Sequence, residues 1–211
     1  SAQTVWGNSA AILTGDVLVA RASQLVAALG PQAVLAHAKT FERLCMGQLH
    51  ETLPRPAGTD PVDHYIQVLA DKTGSLIAVS ARYGAMLTGA GATTERIVEE
   101  FGEKIGVAFQ LADDVIDLAS DSETTGKTPG TDLREGVDTM PVLLLRKALA
   151  AGELDAAGQS ILSRLSTGNL DDDAVLADVV ARLRLHPVLA RTREMAMTWA
   201  REAVGVLEGL E

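Results

Sequence analysis

A run of apolar residues that carries three carboxylates most constrains what this chain can fold into. The run reads Phe109-Gln110-Leu111-Ala112-Asp113-Asp114-Val115-Ile116-Asp117. It lies within the stretch from Thr93 to Leu118, which has no proline and no glycine after Gly106, so it predicts one long helix. On a helix, Asp113 and Asp117 lie one turn apart on the same face, with Asp114 next to them.

Like charges at this spacing repel each other and destabilise an isolated helix. A hard divalent ion such as Mg2+ would relieve that repulsion, because it binds carboxylate oxygens and commonly bridges to phosphate. Solvated acids on a helix surface are the alternative interpretation. The apolar neighbours Leu111, Val115 and Leu118 argue against it, because they place the acids beside a buried face.

A polar loop that follows the acidic run strengthens the metal hypothesis. It contains Gly126, Lys127, Pro129 and Gly130, which are typical of an irregular connection. Carboxylates that bind a metal, next to a loop lysine, suit a diphosphate ligand.

The rest of the chain predicts an all-α fold in a single domain over residues 1–211. Hydrophobic residues make up 47% of the sequence and aromatic residues only 3%, so the core must consist of Ala, Leu, Val and Ile. No stretch alternates with a period of two, as a half-buried strand would. Apolar spacing and capping signals predict further helices over 8–28, 31–52, 61–87, 142–150, 155–165, 171–185 and 187–207.

The third of these helices contains a weak point at Thr73-Gly74-Ser75. Either the helix kinks there, or small side chains let a ligand approach the backbone. Lys72 beside this patch would supply positive charge for a phosphate. Alternatively, its side chain extends from a buried helix towards water.

Charge and cysteine content exclude several classes of function. The formal charge of −10 argues against a nucleic-acid partner. Cys45 is the only cysteine and is expected to be a small core residue; without a second cysteine no disulfide forms within the chain, which indicates a reducing compartment such as the cytoplasm. We expect no transmembrane segment, because no apolar run approaches the roughly 20 residues that span a bilayer.

Taken together, the motifs resemble those of the trans-polyprenyl diphosphate synthases of the long-chain polyprenyl or geranylgeranyl type. The similarity runs in order from residue 1 to about Leu145. It is carried by Trp6-Gly7-Asn8, Ile12-Leu13-Thr14-Gly15-Asp16, Lys72-Thr73-Gly74-Ser75, Phe109-Gln110, Asp113-Asp114-Val115-Ile116-Asp117, Gly126-Lys127 and Gly130-Thr131-Asp132-Leu133.

The resemblance implies an isoprenoid-synthase-type helical bundle around a central apolar cavity. It also implies a Mg2+-dependent head-to-tail condensation of isopentenyl diphosphate with an allylic prenyl diphosphate. Asp113, Asp114 and Asp117 would be the second aspartate-rich motif of the family and would hold Mg2+ against the allylic diphosphate. Asp132 would support the loop behind them.

The resemblance assigns further residues to the substrate. Lys72 and Lys127 would contact the diphosphate, and Thr73 and Gln110 would direct oxygens at the allylic cation. Such chemistry needs no covalent nucleophile, and the sequence shows no Ser-His-Asp or Cys-His arrangement. The family also implies a homodimer.

The sequence departs from the family pattern in ways that affect the expected activity. The family's first aspartate-rich motif and the basic residues that bind isopentenyl diphosphate are absent, and the Lys usual after Asp132-Leu133 is replaced by the stretch Arg134–Thr139. We therefore expect the C-terminal two-thirds of the family fold, incomplete at both ends, in a chain that is inactive alone or is the ordered part of a longer active enzyme. The alternatives are a non-catalytic regulatory subunit of an active synthase and a terpene cyclase of the same fold.

Overall fold

The computed structural model describes residues 2–119 and 128–210, which form helices and no strand. The helices are α1 Ala2–Trp6, α2 Asn8–Ala27, α3 Pro31–Thr52, α4 Pro61–Leu69, α5 Ser75–Thr88, α6 Ala92–Ala119, α7 Thr131–Arg134, α8 Met140–Ala151, α9 Ala156–Thr167, α10 Asp173–Leu185 and α11 Pro187–Val206. A π-helical turn, Ala70–Gly74, joins α4 to α5, and a 3-10 turn, Leu207–Gly209, follows α11. The all-α prediction is confirmed.

Local capping chemistry explains why the predicted helix limits are close to the observed ones. Asp60 accepts hydrogen bonds from the N–H groups of Val62 and Asp63, and Pro61 occupies the first turn of α4. Asp155 caps α9 in the same way through the N–H of Gly158. Each cap satisfies a backbone donor that has no partner within the helix.

The hydrophobic core is built around α6. Its side chains Val107 and Leu111 are fully buried, and α4, α8, α9, α10 and α11 contribute the residues that cover them. The cluster consists almost entirely of Leu, Val, Ile, Ala and Met, as the low aromatic content predicts.

Glycines allow the backbone of α6 to pack directly against the backbone of α5 and of the turn before it. A Cβ placed on Gly106 would lie 2.6 Å from Cα of Gly74, and one on Gly102 would lie 2.6 Å from Cα of Ala78. Real Cβ atoms do not approach that closely, so both positions exclude any larger residue. The weak point predicted at Thr73-Gly74-Ser75 therefore coincides with a close helix–helix contact.

A π-helical turn interrupts the predicted third helix at this point. It contains Lys72 and Thr73, and single π turns of this kind are frequent at functional sites. A partly exposed network of ion pairs holds the turn in place. Arg43 on α3 contacts Asp71 at 2.9 Å and Glu103 on α6 at 2.5 Å.

The first three helices expose an apolar surface that the rest of the structure leaves uncovered. Leu13, Val17 and Leu18 on α2 are each more than 60% exposed, and Leu35 and Leu49 on α3 are about half exposed. Cys45 is also exposed, so its prediction as a core residue is wrong. These side chains remain exposed because α2 packs mainly against α1 and α3, the helices next to it in the sequence.

Helix α2 also contradicts the expectation about apolar run length. Among the described helices it alone is long and apolar enough to cross a bilayer, over Asn8–Ala27, and only 6% of that window is buried. Core helices of water-soluble proteins and signal sequences have the same length and composition, so this is weak evidence for a membrane span.

The glycine contacts yield a stability prediction with an internal control. We expect Gly106→Ala to destabilise the protein by about 1–3 kcal/mol, because the new methyl group would force α6 away from Gly74. Gly84→Ala on α5 is the control, because that position is exposed and has nothing within 4 Å of the added Cβ. It should stabilise its helix by up to about 1 kcal/mol. Urea unfolding followed by circular dichroism measures both; equal effects would contradict the close contact.

Candidate active site

The three predicted acids on α6 lie in three different environments. Asp113 is exposed, Asp114 is 6% exposed and Asp117 is partly buried. The difference follows from helical geometry, because Leu111, Asp114 and Leu118 form one inward stripe at spacings of three and four residues. Asp113 and Asp117 share the neighbouring face of the helix.

Protein donors already occupy the carboxylate of Asp114. The hydroxyl of Tyr65 donates to both oxygens at 3.1 Å, and the backbone N–H of Met140 donates to Oδ2 at 3.0 Å. Burial raises the pKa of Asp114 to about 7, against the lowering effect of these two donors. The negative charges of Asp132 and Asp113 raise this pKa further.

Asp117 links α6 to the start of α7 through hydrogen bonds. Its carboxylate accepts hydrogen bonds from the backbone N–H groups of Thr131 and Asp132. Its backbone carbonyl accepts a third from Gly130 at 3.1 Å. Burial raises the pKa of Asp117 to about 6, and the charge of Asp132 adds to the shift.

The chain places Asp132 close to the acidic run. Its charge acts on Asp114, on Asp117 and on Tyr65, whose own pKa is raised mainly by burial. Sequence reasoning assigned Asp132 to loop support and missed Tyr65 altogether. Tyr65 lies 49 residues from Asp114 in the chain, and no local pattern connects the two residues.

The predicted diphosphate ligand Lys72 projects from the π-helical turn and forms an ion pair. Its Nζ lies 2.6 Å from Oε2 of Glu51, near the end of α3. Thr73 and Gln110 are both partly buried. Lys127 lies outside the described residues, so its predicted role has no structural description.

A cleft of about 210 Å³ lies beside these groups. Glu51, which pairs with Lys72, and Tyr65, which bonds Asp114, both line it. The other lining residues are His50, Leu53, Arg55, Pro61, His64, Val68, Val137, Asp138 and Leu143. The cleft therefore borders the partners of Lys72 and Asp114, whereas Lys72 and the acids of α6 are not among its lining residues.

The residues fit a metal ion only in part. Carboxylate oxygens are the donors that Mg2+ prefers, and Asp113 presents its carboxylate to solvent. Within residues 2–119 and 128–210, no group of three His, Cys, Asp or Glu side chains is arranged to hold a metal. Asp113 and Asp117, which are not fully buried, offer the start of a site near Asp132, although Asp117 also accepts from the backbone of α7; Asp114 is buried and has its oxygens on protein donors.

The sequence matches a family of known enzymes. The family model described as polyprenyl synthetase matches residues 1–172. Nonaprenyl diphosphate synthase of Mycobacterium tuberculosis is 43% identical over 205 residues, covering 96% of this chain and 59% of that protein. Heptaprenyl diphosphate synthase component 2 of Geobacillus stearothermophilus is 31% identical, covering 97% of this chain and 62% of that protein. The chain thus spans about three-fifths of these relatives' length.

Solved structures agree with the sequence match. Geranylgeranyl pyrophosphate synthase from Corynebacterium glutamicum, complexed with calcium and isoprenyl diphosphate, has a TM-score of 0.82 and 39% identity; the match covers 100% of this chain and 64% of that one. Polyprenyl synthase from Caulobacter crescentus, complexed with the same ligands, has a TM-score of 0.82 and 25% identity, covering 98% of this chain and 62% of that one.

The raised carboxyl pKa values predict how metal-free stability depends on pH. Because the folded chain holds the protons of Asp114 and Asp117 more tightly than the unfolded chain, their contribution is complete below the ordinary pKa of 3.8. It is lost as the pH rises through about 6 and 7.

We therefore expect Asp114→Asn to reduce the fall in melting temperature between about pH 5 and about pH 8, because the amide does not ionise. Thermal unfolding in a chelator-containing buffer measures this. Asp171→Asn, which changes an exposed acid far along the chain, should keep the wild-type dependence. An unchanged dependence in Asp114→Asn would contradict the effect assigned to this carboxyl group.

Proposed function

The chain belongs to the polyprenyl synthetase family, and from this premise we propose that it catalyses prenyl transfer. In the proposed reaction, an allylic prenyl diphosphate condenses head to tail with isopentenyl diphosphate in the presence of Mg2+. The carrying observation is that Glu51, the partner of Lys72, and Tyr65, the partner of Asp114, line the same cleft. Lys72 and Asp114 are thus each one contact away from the cleft, and a lysine with carboxylates nearby suits a diphosphate bound with a divalent cation.

We assign the metal-binding role to the carboxylates of Asp113 and Asp117, with Asp132 beside them. When bound, Mg2+ would neutralise the diphosphate and so favour its departure from the allylic carbon. Two solved relatives that contain calcium and isoprenyl diphosphate support this class of ligand.

Lys72 and Lys127 would bind the diphosphate oxygens in this proposal. Lys72 is paired with Glu51 in the structure, so substrate binding exchanges a carboxylate partner for a diphosphate partner. Thr73 and Gln110 would direct oxygen dipoles at the carbon from which the diphosphate departs. Preorganised dipoles of this kind stabilise developing positive charge without the cost of reorientation.

The apolar surface of α2 and α3 supports a homodimer as part of the proposal. Exposed apolar patches of this extent mark interaction surfaces in soluble proteins. A second copy of the chain offers the same apolar patch, which suits a symmetric interface. We also place the protein in the cytoplasm, because its single cysteine forms no disulfide within the chain.

A second candidate function follows from the name of one relative. The Geobacillus protein is called component 2 of a heptaprenyl diphosphate synthase, which indicates that it works with another polypeptide. The uncovered α2 and α3 surface is compatible with a different partner chain as well as with a second copy. In that case, prenyl transfer would require the partner.

The activity proposal predicts the effect of removing the exposed carboxylate. Because residues 1–211 alone are expected to be inactive, the assay uses the protein in its natural form, which we expect to incorporate labelled isopentenyl diphosphate into extractable prenyl diphosphate in Mg2+ with an allylic primer. Asp113→Asn should lower kcat by about 100-fold, as loss of one preorganised electrostatic group does. Asp171→Asn is the control and should keep wild-type rates. No incorporation by the natural protein, with or without a second polypeptide, would contradict the proposed function, and activity that requires a second polypeptide would support the two-component hypothesis.

The dimer proposal predicts which surface controls self-association. Leu18→Glu places a charge in the apolar surface of α2, where Leu18 is 65% exposed, and should weaken the dimer at least about tenfold. Val204→Glu on α11 is the matched control, because Val204 is 60% exposed on another face. Sedimentation velocity measures both variants. A wild type that sediments as a 22.1 kDa monomer would contradict the proposal.

A further inference from the structure

We propose that Asp114 and Tyr65 form a positioning pair that fixes the rotation of α6, and that Asp114 does not bind the metal. The positioning of the metal-binding acids rests on the proposed function, whereas the contacts of the pair stand independently of it. The sequence predicts the opposite role for Asp114, as one of three equivalent metal ligands.

The carboxylate of Asp114 lies where three helices meet. Tyr65 comes from α4 and Met140 begins α8, and both donate hydrogen bonds to the same oxygen of Asp114 on α6. The N–H of Met140 belongs to a first helical turn, where backbone donors have no partner within the helix. Asp114 therefore satisfies a buried backbone group as well as the Tyr65 hydroxyl.

Burial shows that this junction belongs to the core. Met140 is fully buried, and Leu111 and Leu118, one helical turn before and after Asp114, are at most 1% exposed. Asp113 lies about 100° and Asp117 about 60° around the helix from Asp114, both on the same side of it. One helix thus presents two acids to the site and turns the third into the core.

This arrangement couples the core to the site. Any rotation of α6 that turned Asp114 towards solvent would break the contacts to Tyr65 and Met140 and also move Asp113 and Asp117. Loss of these partners would leave buried polar groups unsatisfied, which opposes such a rotation. The pair therefore holds the two outward carboxylates in one orientation.

The amide variant separates positioning from metal binding. In Asp114→Asn, the side-chain oxygen can take the place of Oδ2 and still accept from both Tyr65 and Met140, while the charge that a metal ligand needs is gone. Asp114→Ala removes both properties. A positioning role is therefore rescued by asparagine, and a ligand role is not.

The experiment measures Mn2+ binding in the presence of inorganic diphosphate, by calorimetry and by the electron paramagnetic resonance signal of free Mn2+. We expect Asp114→Asn to keep the wild-type dissociation constant within about threefold, and Asp114→Ala to weaken binding by about tenfold. Asp113→Asn should weaken binding by at least about tenfold. Circular dichroism at the assay temperature confirms that each variant is folded.

Tyr65→Phe tests the other half of the pair. It removes one hydroxyl and no metal ligand, so we expect weaker Mn2+ binding by about threefold to tenfold. Combined with Asp114→Ala, it should add no further loss, because the two residues act as one unit.

The possible results distinguish the two proposals. If Asp114→Asn weakens Mn2+ binding as much as Asp113→Asn does, Asp114 is a ligand and the positioning proposal is wrong, while the proposed function stands. Additive effects of Tyr65→Phe and Asp114→Ala would also overturn it. If the wild type binds no Mn2+ with diphosphate, the proposed function fails, and the positioning proposal fails with it.

Discussion

The two-sided character of helix α6 is the constraint on which the rest of the structure depends. Leu111, Asp114 and Leu118 face the core, whereas Asp113 and Asp117 lie on the next face of the same helix. Burying the first face fixes the direction in which the second face points, because the side chains of a helix turn together. The apolar core and the acidic site are consequences of a single helix orientation.

Hydrogen bonds to the acids of α6 add to the apolar packing that orients this helix. A buried carboxylate is costly unless hydrogen-bond donors surround it. Tyr65 and Met140 supply those donors to Asp114, and the first N–H groups of α7 supply them to Asp117. Each acid thereby ties α6 to a different neighbouring segment, which makes the geometry of the acidic end a property of several elements together.

The part of the candidate site that carries Lys72 depends on close packing between two helix backbones. Gly102 and Gly106 let α6 lie against the α5 segment, and the π-helical turn at Ala70–Gly74 occupies the point of closest contact. The turn carries Lys72 next to Asp71, which is buried against Arg43.

The sequence by itself determined the longer helices, most of their limits and the composition of the core, but not α1, α7 or the π-helical turn within the predicted helix 61–87. These features depend on local capping and on spacing along one chain segment, so Asp60-Pro61 and the run from Thr93 to Leu118 predicted them closely. The motifs also led to the family. Only the tertiary structure decided that Asp114 turns inward, that Tyr65 meets it, that Lys72 pairs with Glu51 and that Cys45 and α2 are exposed. Those outcomes depend on contacts between residues tens of positions apart, and no local pattern contains the physical information that selects them.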